Sequence, residues 1–319
     1  MATADDDALY VLTAVLLTPA QFPSALGDDY PAACAALDLE PYAEGYGLVL
    51  GQDGEGARWT VAIDDVSLVA VAIASWDCGM EYDLSPDERS VVAALPGWPL
   101  AVATASPDLP APHDPEPEEG VRTPLAPPDD AVWGPAQRRL GADEVALQWA
   151  SWRARMDDDE AAEDAGADAA SGSSRPEADA GAHAASGSVP NESRPEADAG
   201  AGDSGDTPAD ADTGDGDGDG DGDPGDLSRD PYDGVRRAIA ELRGYLEDAP
   251  PVGRVRSSFA TGGARMLRAD GPGWSLVART DDMAFVLLDD EPREVLPVAR
   301  GPKLPDLLKA LDAMAVRPS

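Results

Sequence analysis

The stretch GDGDGDGDGD at residues 214–223 belongs to a long acidic segment, residues 157–230, that decides how this chain is organised. Within this segment the sequence SRPEADAGA occurs twice, at 174–182 and at 193–201. The segment holds 23 acidic residues and three arginines, almost no Val, Ile or Leu, and no Phe, Tyr or Trp. So little apolar surface cannot offset the entropy cost of ordering the backbone, and we therefore predict a disordered, low-complexity linker.

This linker separates two regions whose apolar residues recur with the spacing of folded protein. We predict an acidic α+β module at 5–105, a Pro- and acid-rich linker at 106–130, an amphipathic helix within 131–156, the acidic linker at 157–230 and an α-β(5)-α module at 231–317. The predicted fold class is α+β, with two small modules joined by a long acidic disordered linker.

The charge of the chain is distributed unevenly. The net charge is −39, and residues 1–105 carry 17 acidic residues against two arginines, whereas residues 231–319 carry 13 acidic and 13 basic residues. General nucleic-acid binding and docking on anionic membranes both need clustered Lys and Arg, so the sequence argues against both. The acidic half favours a partner with a basic surface, or serves solubility alone.

The length of the apolar runs, the charge near residue 5 and the number of cysteines predict the cellular location. The longest apolar runs, residues 8–17 and 66–76, fall short of the ~20 residues that span a bilayer. Three aspartates at 5–7 stand where a signal peptide carries positive charge. Cys34 and Cys78 are too few for the disulfide framework of a secreted protein. We therefore expect a cytoplasmic protein.

In the first module, alternation and turn residues predict strands at Leu9–Leu17, Tyr46–Leu50, Trp59–Ile63 and Ser67–Ile73. Helix-start signals predict helices after Thr18-Pro19, at Pro31–Leu37 and after Ser85-Pro86. In the second module, a helical stripe is formed by Val235, Ile239, Leu242 and Leu246, and a second helix covers 305–314. Strands are predicted at 254–260, 264–269, 274–280, 283–289 and 294–299, with short turns that suit an antiparallel meander.

A predicted helix at about 143–156 carries the best candidate interaction surface. Its larger apolar residues share one face and are Val145, Trp149, Trp152 and Met156. One interpretation is that this face packs on the module 5–105 as part of its core. The other is that it enters a groove of a partner protein, where aromatic side chains contribute much of the binding energy.

Arginines form the second candidate surface, on the predicted strands of the C-terminal module. Arg254 and Arg256, together with Arg265 and Arg268, could form a face that receives anions. The alternative is that these side chains simply point into solvent.

Catalysis by imidazole is not expected in this chain. The two histidines, His113 and His183, both fall in predicted linkers, which argues against Ser-His-Asp and Cys-His catalysis and against a structural zinc site. No P-loop sequence is present. The Gly-Asp run at 214–226 has the spacing of a calcium loop, but Gly222 and Pro224 occupy unsuitable positions. We predict a non-enzymatic protein without a cofactor.

An acidic cluster offers an alternative to that prediction. Asp77, Glu81 and Asp83, with Asp64 and Asp65 as further candidates, could supply paired carboxylates for acid–base chemistry or for a hard cation. The simpler interpretation is a solvated loop.

The composition and motifs together favour a cytoplasmic adaptor that binds a protein partner with a basic or apolar groove surface. An acidic decoy that occupies a basic surface, including one that binds nucleic acid, is the alternative. A carboxylate-dependent enzyme centred on Asp77, Glu81 and Asp83 is the further alternative.

Overall fold

A computed structural model describes residues 9–78, 86–102, 110–116, 120, 122–158 and 232–318. The chain combines helices with antiparallel sheets, so the predicted α+β class is confirmed. The described residues fall in one compact unit. The predicted disordered linker lies outside the described residues, except for its first two positions.

The first sheet has four antiparallel strands in the order of the sequence. They are β1 (Tyr10–Leu17), β2 (Tyr46–Gln52), β3 (Arg58–Ile63) and β4 (Val91–Pro96). Helix α1 (Tyr30–Ala36) covers one face and helix α2 (Val66–Asp77) covers the other. Every residue of β2 is buried, because this central strand has packed side chains on both faces.

The second sheet is a meander of five antiparallel strands, as the sequence predicts. The strands are β5 (Val255–Phe259), β6 (Arg265–Gly271), β7 (Trp274–Arg279), β8 (Ala284–Leu288) and β9 (Leu296–Val298). On one face lie α3 (Pro135–Leu147) and a following helical segment, α4, at residues 149–158. On the other face lie α5 (Tyr232–Gly244) and α6 (Leu304–Met314), packed around the buried Trp274.

The prediction of a strand at Ser67–Ile73 is wrong, because these residues lie in α2. The helix begins after Asp65, whose Oδ1 accepts a hydrogen bond from the Leu68 amide at 3.2 Å. This is the bond of a helix N-cap, and it satisfies an amide that has no partner within the helix. A short apolar run fits a buried strand or a helix equally well, so the pattern alone could not decide.

The prediction of a helix after Ser85-Pro86 is also wrong. Asp87 instead forms a turn in which the Ser90 amide donates to the Asp87 carbonyl at 2.8 Å. The chain then enters β4, where Val91 and Val92 have the β-branched side chains that suit a strand. After Thr18 a turn likewise replaces the predicted helix: the Gln21 amide donates to Thr18 Oγ1 at 3.0 Å.

Parts of the Pro- and acid-rich segment 106–130 contact the first sheet. His113 forms an isolated parallel bridge with Ala57, and Leu125 forms another with Gly97. The Leu125 amide donates to the Pro96 carbonyl at 2.7 Å. A segment with the composition of an extended linker therefore lies extended against the chain next to β3 and β4.

Candidate protein-binding groove

The tryptophan stripe packs on the C-terminal sheet rather than on the module 5–105. The ring of Trp149 lies 5.1 Å from that of Phe285 in an edge-on arrangement, and the ring of Trp152 lies 6.4 Å from it. Trp149 is buried, and Met156 packs against the same cluster. These aromatic faces are therefore occupied by the C-terminal sheet and not by the module 5–105, whereas Arg139 in the same predicted segment 131–156 does contact that module, at Ser24 and Asp28. The sequence carries no local signal for this pairing, since Phe285 is more than a hundred residues away.

Arg254 and Arg256 do not simply point into solvent, because each is partly buried and pairs with a carboxylate. Arg254 Nη2 lies 3.1 Å from Asp29 Oδ2, and Arg256 Nη2 lies 3.3 Å from Asp270 Oδ2. The Arg256 guanidinium also lies over the ring of Phe22, 4.3 Å from its centre. Burial lowers the pKa of Arg256, and the charge of Asp270 opposes that effect. Arg254 therefore joins the two sheets through its ion pair with Asp29, whereas Arg256 keeps its ion pair within the second sheet and reaches the first module through Phe22.

Two arginines of α3 extend this arrangement, which we call the arginine junction. Arg138 is fully buried and its Nε lies 2.7 Å from Asp289 Oδ1. Arg139 Nη1 lies 2.5 Å from Asp28 Oδ1, on the loop that precedes α1. Helix α3 thus contacts the first sheet's loops and the second sheet at once. Removing one partner of a buried ion pair leaves the other charge uncompensated and lowers the stability of the fold. The junction therefore has a structural role.

The proposed acidic cluster lies mostly outside the described residues. Asp77 ends α2, and its side chain, together with Glu81 and Asp83, lies outside the described residues. Asp64 and Asp65 are exposed at the start of α2. Within the described part of the chain, no group of three or more His, Cys, Asp or Glu side chains is placed to hold a metal ion.

A separate observation concerns the helices. None of those within the described ranges is both long and apolar enough to cross a membrane.

A groove runs along the outer edge of β1, and sequence reasoning missed it. Two cavities of about 410 and 420 Å³ share Leu16 and Gln21 and follow this edge. One wall is formed by Val66, Ala70 and Ile73, which recur at helical spacing along α2. The other wall is formed by Gln21, Phe22, Pro23 and Leu100. We call this feature the β1 groove.

The edge of β1 is free along the floor of the groove. β1 pairs with β2 on one side, and no strand among the described residues pairs with its other side. The groove floor contains Thr13, Ala14, Val15 and Leu16. An unpaired strand edge presents backbone donors and acceptors that can pair with another chain.

Helix α2 is more apolar than its burial explains. It has no charged residue between Val66 and Trp76, yet Val69 and Ala72 are buried while Ala70 is exposed and Val71 is 50% exposed. A helix that is hydrophobic on every side is usually covered on every side. The absence of charge between residues 66 and 76 is the signal from which this surface could have been found.

The end of the groove near the start of α2 is acidic. Glu44 borders the groove there, and Asp64 and Asp65 are exposed close to Val66. The charge of Glu44 raises the pKa of the Tyr42 hydroxyl. Arg317 also borders the groove, but it donates to the Asp312 carbonyl at 2.5 Å and pairs with the Asp312 carboxylate.

Comparison with known proteins finds no matching protein-family model, no matching curated protein and no matching solved structure. The functional argument therefore rests on the geometry of this chain alone.

Proposed function

We propose that this protein is a non-enzymatic, cytoplasmic adaptor that binds a protein partner through the β1 groove and the exposed side of α2. The observation that carries the proposal is the uncharged helix α2, whose Ala70 and Val71 are exposed and whose Ala70 lies beside a free strand edge. Removing such apolar surface from water contributes roughly 25 cal/mol for each Å² buried. A partner that covers α2 and the strand edge would bury apolar side chains and satisfy backbone groups together.

The organisation of the chain is part of the proposal. On composition alone, residues 157–230 serve as an acidic tether between an N-terminal and a C-terminal α+β module. The arginine junction keeps the two sheets in contact, so the two modules are not free to separate. Its net charge of −20 favours solubility and keeps other acidic chains away.

An acidic decoy is the second candidate function, and one observation favours it. Residues 1–105 carry 17 acidic residues against two arginines, and both Glu44 and Asp64 lie near the mouth of the groove. A decoy would depend on charge, so its complex would weaken steeply as salt rises. A complex held mainly by apolar burial would survive.

Capture from an extract of the producing cells tests the proposal. The full-length protein is immobilised and washed in 0.5 M NaCl, beside the variants Ala70→Lys and Val71→Lys. Val132→Lys is the matched control, since Val132 is 61% exposed and lies in the segment before α3. We expect a salt-resistant partner that is lost from at least one α2 variant and retained by the control. A partner that leaves at 0.5 M NaCl favours the decoy, and equal capture by all four proteins contradicts the proposal.

A further inference from the structure

We infer that the β1 groove receives an extended, basic segment of the partner as an additional strand of the first sheet. This inference rests on the proposed function and names the form and charge of the partner. It differs from that proposal because a partner could also cover α2 with a helix or a flat surface, without touching β1.

The groove is long enough for a short added strand. Strand residues rise about 3.3 Å each, so the floor from Thr13 to Leu16 offers roughly 13 Å of free edge. Successive side chains of a strand point to opposite faces. The added strand would therefore place alternate side chains against Ala70 and Ile73 on one wall and against Phe22 and Leu100 on the other. Backbone bonds to a sheet edge with pockets for alternate side chains are the basis of strand addition.

The charge of the first module selects the occupant. Residues 1–105 have a net charge of −15, and Glu44 borders the groove itself. The chain's own tether, 157–230, carries −20, so repulsion disfavours it as the occupant. A second copy of the protein would bring two modules of −15 together, which is equally unfavourable. A segment of another protein with lysine or arginine among apolar residues would pack against the apolar walls and be attracted by the negative charge of the module.

The direct test uses synthetic peptides and the full-length chain. The probe is a fluorescent eight-residue peptide of alternating valine and lysine, flanked by glycine and serine, and binding is followed by fluorescence polarisation. Two matched peptides accompany it: one alternates valine and glutamate, and one is the valine–lysine peptide with N-methyl groups on alternate backbone nitrogens. We expect the valine–lysine peptide to bind at least tenfold more tightly than either. Equal binding of the N-methylated peptide overturns the inference, because strand addition requires those backbone donors.

A variant of α2 locates the peptide. Ala70→Lys fills the groove, whereas Val132→Lys adds the same charge at an exposed position in the segment before α3. We expect at least a tenfold loss of peptide binding from Ala70→Lys and less than a threefold change from Val132→Lys. Equal losses mean that the peptide responds only to charge and overturn the inference.

Two further outcomes separate this inference from the proposed function. If the peptide fails to bind while capture of the natural partner is still lost in Ala70→Lys, the function stands and strand addition is wrong. If sedimentation shows a dimer of the full-length protein that Ala70→Lys abolishes, the occupant is a second copy, which also overturns the inference.

Discussion

Arg139 donates a hydrogen bond from its Nε to the backbone carbonyl of Ser24, 2.6 Å away and 115 residues earlier in the chain. The same helix places Arg138 against Asp289, which lies 151 residues later. One short helix therefore holds both the loop before α1 and the C-terminal sheet. Arg254 and Arg256, which sequence reasoning placed on a surface, also contact the first module, through Asp29 and Phe22.

Cutting the chain within residues 159–231 should leave the two pieces associated. The ion pairs of Arg138 with Asp289 and of Arg254 with Asp29, and the cluster of Trp149 with Phe285, join residues before this segment to residues after it. Limited proteolysis followed by size exclusion under native conditions should give one peak that contains both fragments. Two separate peaks would show that the modules are independent and that the junction is weak.

Arg138→Leu should lower the free energy of unfolding by about 3 kcal/mol, because it leaves Asp289 near the junction without its buried cation. Arg237→Leu is a matched control, since Arg237 pairs with the neighbouring Asp290 at 3.1 Å on the exposed surface. Exposed pairs contribute at most about 1 kcal/mol. Urea unfolding of both variants measures the difference, and equal values would contradict the assigned role of the junction.

Trp149→Ala should cost about 3–5 kcal/mol, because it removes a buried aromatic side chain and leaves a cavity against Phe285. Leu147→Ala should cost less than about 0.5 kcal/mol, because Leu147 is 82% exposed. Thermal unfolding of the full chain provides the comparison. If Trp149→Ala proves as mild as Leu147→Ala, the stripe does not pack on the C-terminal sheet.

Stability should fall as the pH rises above about 10. Burial raises the pKa of the Tyr30 hydroxyl, which donates to the Tyr42 carbonyl at 2.7 Å. The unfolded chain ionises near pH 10, while the folded protein keeps the hydroxyl neutral, so this contribution is complete below pH 10 and is lost above it. The slope for one such group is about 1.4 kcal/mol per pH unit. Tyr30→Phe should be less stable at pH 7 but show a shallower decline between pH 10 and 11, and an unchanged slope would contradict the assignment.

The C-terminal meander was predictable because its turns are local. Gly262, for example, has a φ of 77° in the turn between β5 and β6, a conformation in which glycine is favoured. Strands punctuated by such residues can be placed from sequence alone. The predicted ends of these strands are correspondingly close to the observed ends.

The groove and the arginine junction were not predictable in the same way. Helix α2 has no polar face, so its sequence lacks the periodic signal that separates a helix from a buried strand. The partners of Arg138, Arg139 and Arg254 lie far along the chain, and pairing at that distance depends on tertiary structure. Sequence reasoning singled out Arg254 and Trp149. It could not predict that Arg254 pairs with Asp29 of the first module or that Trp149 packs on the C-terminal sheet.

The most direct test of the central claim places a photo-reactive benzoyl-phenylalanine at Gln21, which is exposed and borders both cavities of the β1 groove. The same amino acid at Val132 is the control. Irradiation of the producing cells should yield a discrete crosslinked species that contains a second protein from position 21 and not from position 132. No crosslink from position 21, or the same species from both positions, would contradict the proposal that this groove binds a protein partner.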